Sequence, residues 1–549
     1  MSTISIEESS SPKKTQITEV AVESDVESLN YSTENEKVDY FYHEKRLSSA
    51  LKARHIGMIT LVGVFGTGLF LSSSVSLSTA GPVGMLLAYI MVGLVIGANQ
   101  MCIAEVSCLL PVTSAYVKHA EHFVDESLGF AMGWIDIYSS ILPGELSAVA
   151  VVMTFWSDLN PAIWITVYGL VVVLTNVYNV KWYGEIEFFF GILKILLVVG
   201  IVILGLVIDL GGVKGQQRLG FHYWRDPGPF AEKFTTGSLG KFAGFWKCVS
   251  SVVYAYGGTQ AISMLAGETE YPRRAIFRAA KRVFYRVFTM YLTTVFILTL
   301  LVAYNDPEIA NPNGTAAGSP FVIAMKRAGV RVVPHIINGV VLTSALSAAN
   351  LGVIKASRTL FALATKKQAP SVFLWVNRHG LPWVGVTLAC LFLSLCYMSV
   401  TNSASNVFNY FQNVSSSALL FNWIVIALNH IHMSRALTAQ GYTRKDLPYT
   451  FYGTQYASWF SLFFSVLFLL TGGFANFIKG NFEFSSFFAA YFVIPLGIIL
   501  FIGWKFFRKT KYLKPEEVDL KGLFADIQNT PEPAYPKLKG WEYITLLWG

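Results

Sequence analysis

The chain has 549 residues, 53% hydrophobic and 15% aromatic, with 14% charged and a mean hydropathy of +0.48. A soluble domain carries about a quarter charged residues, so this composition excludes an ordinary water-soluble fold. The net charge of +8 lies between apolar segments, where membrane topology accounts for it better than nucleic-acid binding does.

Residues 1–50 hold ten acidic and five basic residues, many serines and few large aliphatics. That composition predicts a disordered tail, read as cytoplasmic because no cleavable signal peptide precedes it. From His55 onward, apolar stretches recur that match the roughly 20 residues needed to cross a bilayer. Twelve are expected, near 56–78, 83–107, 128–155, 161–178, 187–210, 244–266, 283–304, 331–353, 383–400, 406–428, 456–473 and 484–507. Spans 4 and 9 are the shortest. The predicted domains are the tail 1–50, a membrane region 51–509 and a second cytoplasmic tail 510–549.

Basic residues cluster in alternate loops: Lys52 and Arg54, Lys181, Arg273 to Arg282, Lys366 to Arg378, Arg435 to Lys445, and Lys505 to Lys511. The loops 79–82, 156–160 and 401–405 carry none, which places both termini in the cytoplasm. The loop 211–243 departs from this pattern, with basic residues partly balanced by acids. Asn313 begins a glycosylation sequon on the predicted outer side.

Span 1 contains Gly63, Gly66 and Gly68, with Thr67 between the last two. Glycines in a membrane helix fit two readings, a close packing groove or a break that frees backbone groups for a polar solute. Span 6 carries a second interruption, Tyr254-Ala255-Tyr256-Gly257-Gly258-Thr259-Gln260. It lies five spans later, where an inverted five-plus-five repeat places the partner of span 1. Two broken helices at matching positions point to a transporter site at mid-membrane.

The chain resembles the fungal amino-acid permeases of the amino acid–polyamine–organocation superfamily over roughly residues 50–515. The segments that carry the resemblance are Leu51 to Ile56, Gly66-Thr67-Gly68-Leu69-Phe70, Ala80-Gly81-Pro82, Tyr183 to Phe188, Arg218 to Gly228, Gly267-Glu268, Pro272-Arg273-Arg274, Tyr304 to Pro307 and Ser357 to Leu360. The stretches Pro334 to Gly339 and Ser347 to Asn350 look closest to the proline and neutral amino-acid branch. The resemblance implies an all-α integral membrane protein of about twelve transmembrane helices. It would have a leucine-transporter-like 5+5 inverted repeat, broken spans 1 and 6, and two further spans. It also implies proton-driven amino-acid uptake at the plasma membrane. The alternative is an amino-acid sensor of the same fold with little transport; a 50-residue leader is short for such a sensor.

An amino acid is a zwitterion and needs holding at both ends. Its carboxylate is expected at the free N–H groups of Gly66, Thr67 and Gly68, at the positive start of a half-helix. Its ammonium is expected at carbonyls freed near Tyr256, Gly257 and Gly258, with Thr259 beside them. Tyr254 and Tyr256 are candidates to cover the side chain, or serve as packing aromatics. In related proton-coupled transporters a lysine of span 5 stands where others bind sodium, and Lys194 matches that position. A lysine withdrawn from water can lose and regain a proton; the alternative for Lys194 is a side chain that reaches back to the interface.

Glu145, beside Pro143 and Gly144 in span 3, is read as a proton partner or as a hydrogen-bond acceptor for opened backbone. Glu105 is read as a structural pair for a loop cation, and Lys355 as reaching toward the interface. Asp136 receives no role. The resemblance also leads one to expect Gly-Thr-Glu in span 6, where this chain has Gly258-Thr259-Gln260.

The expected partners are an amino acid, protons and lipid, with regulatory proteins at the tails and no nucleic acid. No cofactor or metal is expected. The five cysteines lack metal-ligand spacing. No nucleophile–base pair or phosphate loop appears, so the chain is not read as an enzyme.

Overall fold

The computed structural model describes residues 66–112, 115–178, 180–213, 217–260, 271–310, 319–377, 380–401 and 403–532. The N-terminal tail, the start of span 1 with Gly63, the inner part of span 6 with Gly267 and Glu268, and the Asn313 sequon lie outside them. Among the described residues the regular structure is all helical. Eight helices are long and apolar enough to cross a membrane, nine if the pair Phe484–Tyr491 and Val493–Arg508, bent by 43°, forms one span. Shorter pieces supply span 4 (Pro161–Tyr178), the first half of span 6 (Gly237–Ala255) and the described part of span 1. Together they fit the twelve-span arrangement. Leu170, Leu174, Leu196, Ile203, Phe463 and Ile499 are exposed large apolar side chains on spans 4, 5, 11 and 12, as expected of surfaces that face lipid.

Spans 1 and 2 run as Ser72–Leu109, turned at Gly81, whose φ is +73°. The turn is fixed by the loop before span 6. The Ala231 N–H donates to the Ala80 carbonyl (3.1 Å), and the Val83 N–H donates to the Pro229 carbonyl (2.9 Å). A Cβ on Gly81 would stand 2.5 Å from the Ala231 nitrogen. The positive φ and the close approach both call for glycine.

Span 3 is two helices, Glu126–Ile141 and Gly144–Met153. Proline disfavours the helical well for the residue before it, and Leu142 is accordingly extended at φ −72°, ψ 125°. The second helix therefore starts afresh at mid-span, with Glu145 in its first turn. Span 9 (Trp383–Val400) changes from α-helix to 3-10 at Leu393. Span 10, Ala404–Ala439, is longer than the sequence suggested.

The C-terminal segment packs against the face that carries the basic loops. The Leu513 N–H donates to the Val124 carbonyl (2.9 Å). Helix Leu520–Asn529 buries Leu520 and Leu523 in a cluster with Val106, Leu109 and Leu437. The Glu532 carboxylate then accepts the N–H groups of Arg273 and Arg274, both at 2.9 Å, at the start of span 7 (Pro272–Leu301).

Candidate functional site

The described part of span 1 begins at Gly66, which caps the short helix Thr67–Phe70 with extended backbone and no side-chain cap. The first N–H groups of that helix have no partner within it. Its start lies against the end of the first half of span 6: a Cβ on Gly68 would stand 2.6 Å from Ala255 Cα. There span 6 leaves the helix. Tyr256 is its C-cap, residues 256–260 form turns, and Gly258 has φ +86°.

Glu145 joins these two breaks to the one in span 3. The Thr67 hydroxyl donates to Glu145 Oε2 (2.9 Å) and the Tyr254 hydroxyl to Oε1 (2.7 Å). The two hydroxyl oxygens are themselves 3.5 Å apart. A carboxylate in a helix's first turn is favoured by the helix dipole, which suits Glu145 to this place.

A cavity of about 170 Å³ opens beside this carboxylate. Gly66, Gly68, Glu145, Tyr254, Gly257 and Gly258 line it, together with Ser139 and Ser140 of span 3 and Gly352 and Lys355 of span 8 (Val333–Thr365). The Tyr254 ring meets Phe408 edge-on at 6.0 Å. At the span 6 break the Ala255 carbonyl accepts from the Tyr291 hydroxyl (2.7 Å), and the Tyr254 carbonyl accepts from the Gly257 N–H (2.9 Å).

Two expected site residues point elsewhere. Tyr256 is fully buried against Tyr291, 4.8 Å between ring centroids. Its hydroxyl donates to the Tyr89 carbonyl (3.2 Å), and it is not among the cavity-lining residues. Thr259 is buried behind the break, and its carbonyl accepts from Gln100 Nε2 (3.0 Å).

Lys194 does not reach back to the interface. It is fully buried, and its Nζ donates to Ser347 Oγ at 3.5 Å. Ser347 in turn donates to Glu187 Oε2 at 2.5 Å. Glu187 was not anticipated. It lies inside the segment Tyr183 to Phe188, and its spacing of seven residues before Lys194, two turns on one helix face, was the available signal.

Lys355 also turns inward, with Nζ 2.5 Å from Asp136 Oδ1. Asp136 further accepts from the Tyr116 hydroxyl (2.9 Å) and Asn422 Nδ2 (3.0 Å). A fully buried carboxylate is costly without a counter-charge, which explains why the lysine is held. Glu105 has the structural pairing expected of it, 2.6 Å from Arg444 Nη2 and 2.9 Å from His430 Nε2. It also accepts from the Phe451 N–H and the Thr454 hydroxyl, both at 2.7 Å.

Residues 55–516 match the model of a family described as amino acid permease. The dicarboxylic amino acid permease of Saccharomyces cerevisiae is 38% identical over 86% of this chain and 80% of its own length. The proline-specific permease of the same yeast is 35% identical over 88% of this chain and 79% of its own. Identity therefore does not single out a proline branch. Among solved structures, a manganese transporter of Eremococcus coleocola superposes with a TM-score of 0.53, covering 86% of this chain and 95% of that one at 10% identity. At that identity the likeness speaks to fold alone.

Proposed function

The chain belongs to the amino acid permease family, and on that premise we propose that it is a proton-coupled symporter importing amino acids across the plasma membrane by alternating access. The observation that carries this reading is the meeting of three helix breaks, in spans 1, 3 and 6, at the Glu145 carboxylate beside a cavity. Backbone left unpaired inside a membrane is tolerated only where protein or a solute satisfies it.

In this reading the substrate carboxylate docks at the N–H groups of Gly66, Thr67 and Gly68. The ammonium takes the Gly257 and Gly258 carbonyls and the Glu145 carboxylate. The Thr67 and Tyr254 hydroxyls, both bonded to Glu145, turn to the substrate when it enters. The Tyr254 ring covers it. Gln260 supplies no charge, so Glu145 is the acid beside the bound amino acid. Lys194 carries the coupled proton. The substrates are neutral, proline-like or broad in range. Lys355, held by Asp136, also lines the cavity and gives side chains a polar limit.

Radiolabelled amino-acid uptake in permease-deficient cells, with and without a protonophore, tests this. Uptake abolished by the protonophore, and by Lys194→Met, is expected. Absence of uptake for every amino acid would end the symporter reading, and uptake indifferent to the protonophore would end the coupling.

A further inference from the structure

Lys194 interacts electrostatically with two buried acids, Glu187 on the same span and Glu145, which lines the cavity. Glu187 is seven residues closer to the end of span 5 that follows Lys181, about 10.5 Å along the helix axis. Between the lysine and Glu187 stands the Ser347 hydroxyl of span 8. The hydrogen bonds run in one direction: Lys194 Nζ donates to Ser347 Oγ, and Ser347 Oγ donates to Glu187 Oε2. Glu187 is 1% exposed, and its Oε1 accepts no hydrogen bond from the described residues. A buried carboxylate with one oxygen unbonded among the described residues calls for an explanation. Inside a membrane such a group usually marks an ion or proton path.

We propose that Ser347 and Glu187 form the exit path for the coupled proton, from Lys194 to the cytoplasmic water. The proposal rests on the proton coupling described above. The Lys194 ammonium gives a proton to Ser347 Oγ as the Ser347 hydroxyl proton passes to Glu187 Oε2. Lysine is left as the neutral amine, serine as the hydroxyl, and Glu187 as the carboxylic acid. Glu187 is buried in this conformation, so it gives its proton to water and returns to the carboxylate only when movement of spans 5 and 8 opens its inner side. The relay crosses from span 5 to span 8 and back. It is therefore intact only while those two spans keep this register, which ties proton release to the conformation of the transporter. Glu145 faces the substrate, Glu187 faces the exit, and Lys194 shuttles between them.

The test uses the full-length protein in proteoliposomes with a radiolabelled mixture of the standard amino acids. Exchange of internal for external amino acid needs no net proton movement, whereas accumulation driven by an imposed proton gradient does. For Glu187→Gln and for Ser347→Ala, exchange is expected to stay within about twofold of the parent. Accumulation should fall by about a hundredfold, the low end of what a positioned proton-transfer group contributes. Ser347→Thr, which keeps the hydroxyl, should restore it.

Ser347→Ala removes the relay and neither charge, so it decides the matter even where Glu187→Gln fails to reach the membrane. Gradient-driven accumulation that survives Ser347→Ala would overturn the proposal. Loss of exchange together with accumulation would also overturn it, because that is the signature of a structural counter-ion. A parent protein whose uptake ignores the gradient is a separate result, read first, and it removes the coupling itself.

Discussion

Replacing Gly68 with alanine adds one methyl group where the two broken spans cross. Its Cβ would lie 2.6 Å from Ala255 Cα and 3.1 Å from the Ala255 nitrogen, where ordinary contact starts at 3.4 Å. Both obstacles are backbone, so no rotamer change relieves them, and the half-helices must part by about 0.8 Å. Overpacking of this kind costs roughly 1–3 kcal/mol, equivalent to about a five- to 150-fold change in an equilibrium constant. A displacement near 1 Å in a positioning group also costs up to about a hundredfold. The expectation is a KM for uptake raised within that span, measured as the concentration dependence of uptake per molecule at the cell surface. Gly200→Ala is the control, because a Cβ there meets nothing within 4 Å. A Gly68→Ala variant with the KM of that control would refute the placement of the substrate carboxylate at this crossing.

Other substitutions test the frame around the site. Glu105→Gln leaves Arg444 and His430 without their shared carboxylate; disrupting a buried pair costs about 3–5 kcal/mol, read as a lower Tm of the detergent-solubilised protein. Glu532→Ala removes the acceptor for the Arg273 and Arg274 N–H groups, and loss of a helix cap costs about 0.5–2 kcal/mol, read in the same melt. Glu121, in helix Ala115–Phe123 between spans 2 and 3, has its carboxyl pushed up to about 7 by burial. Folding raises it above its usual 4.5, so between those values the native state binds more protons than the unfolded chain and stability falls as pH rises. Glu121→Gln removes that penalty. Its Tm advantage over the parent should be near zero below pH 4.5, grow between 4.5 and about 7, and level off above that.

The non-helical backbone at Gly66 and at residues 256–260 was legible because glycine frees the backbone and leaves a local mark. The break in span 3 was legible in part: Pro143 was visible, but only the fold shows that it sets Glu145 against Thr67 and Tyr254. Tyr256 was paired with Tyr254 by proximity in sequence. Residues two apart on a helix do not share a face, and the second ring packs on Tyr291 instead. Lys355 and Asp136 were read singly because span-to-span register is a tertiary property, 219 positions apart in sequence. Glu187 received no reading of its own because it stood at the first position of the expected span 187–210; the helix extends back to Val180, which places the acid well inside. The docking of Leu520–Asn529 needed an apolar surface on the opposite element, which a tail sequence alone does not display.

Symport requires that amino acid and proton cross together. It is tested most directly by reconstituting the purified protein in proteoliposomes with a pH-sensitive dye inside and no imposed ion gradient. The prediction is that adding external amino acid acidifies the lumen at a rate proportional to its uptake, and that Lys194→Met abolishes both. Amino-acid entry with no accompanying acidification would contradict it.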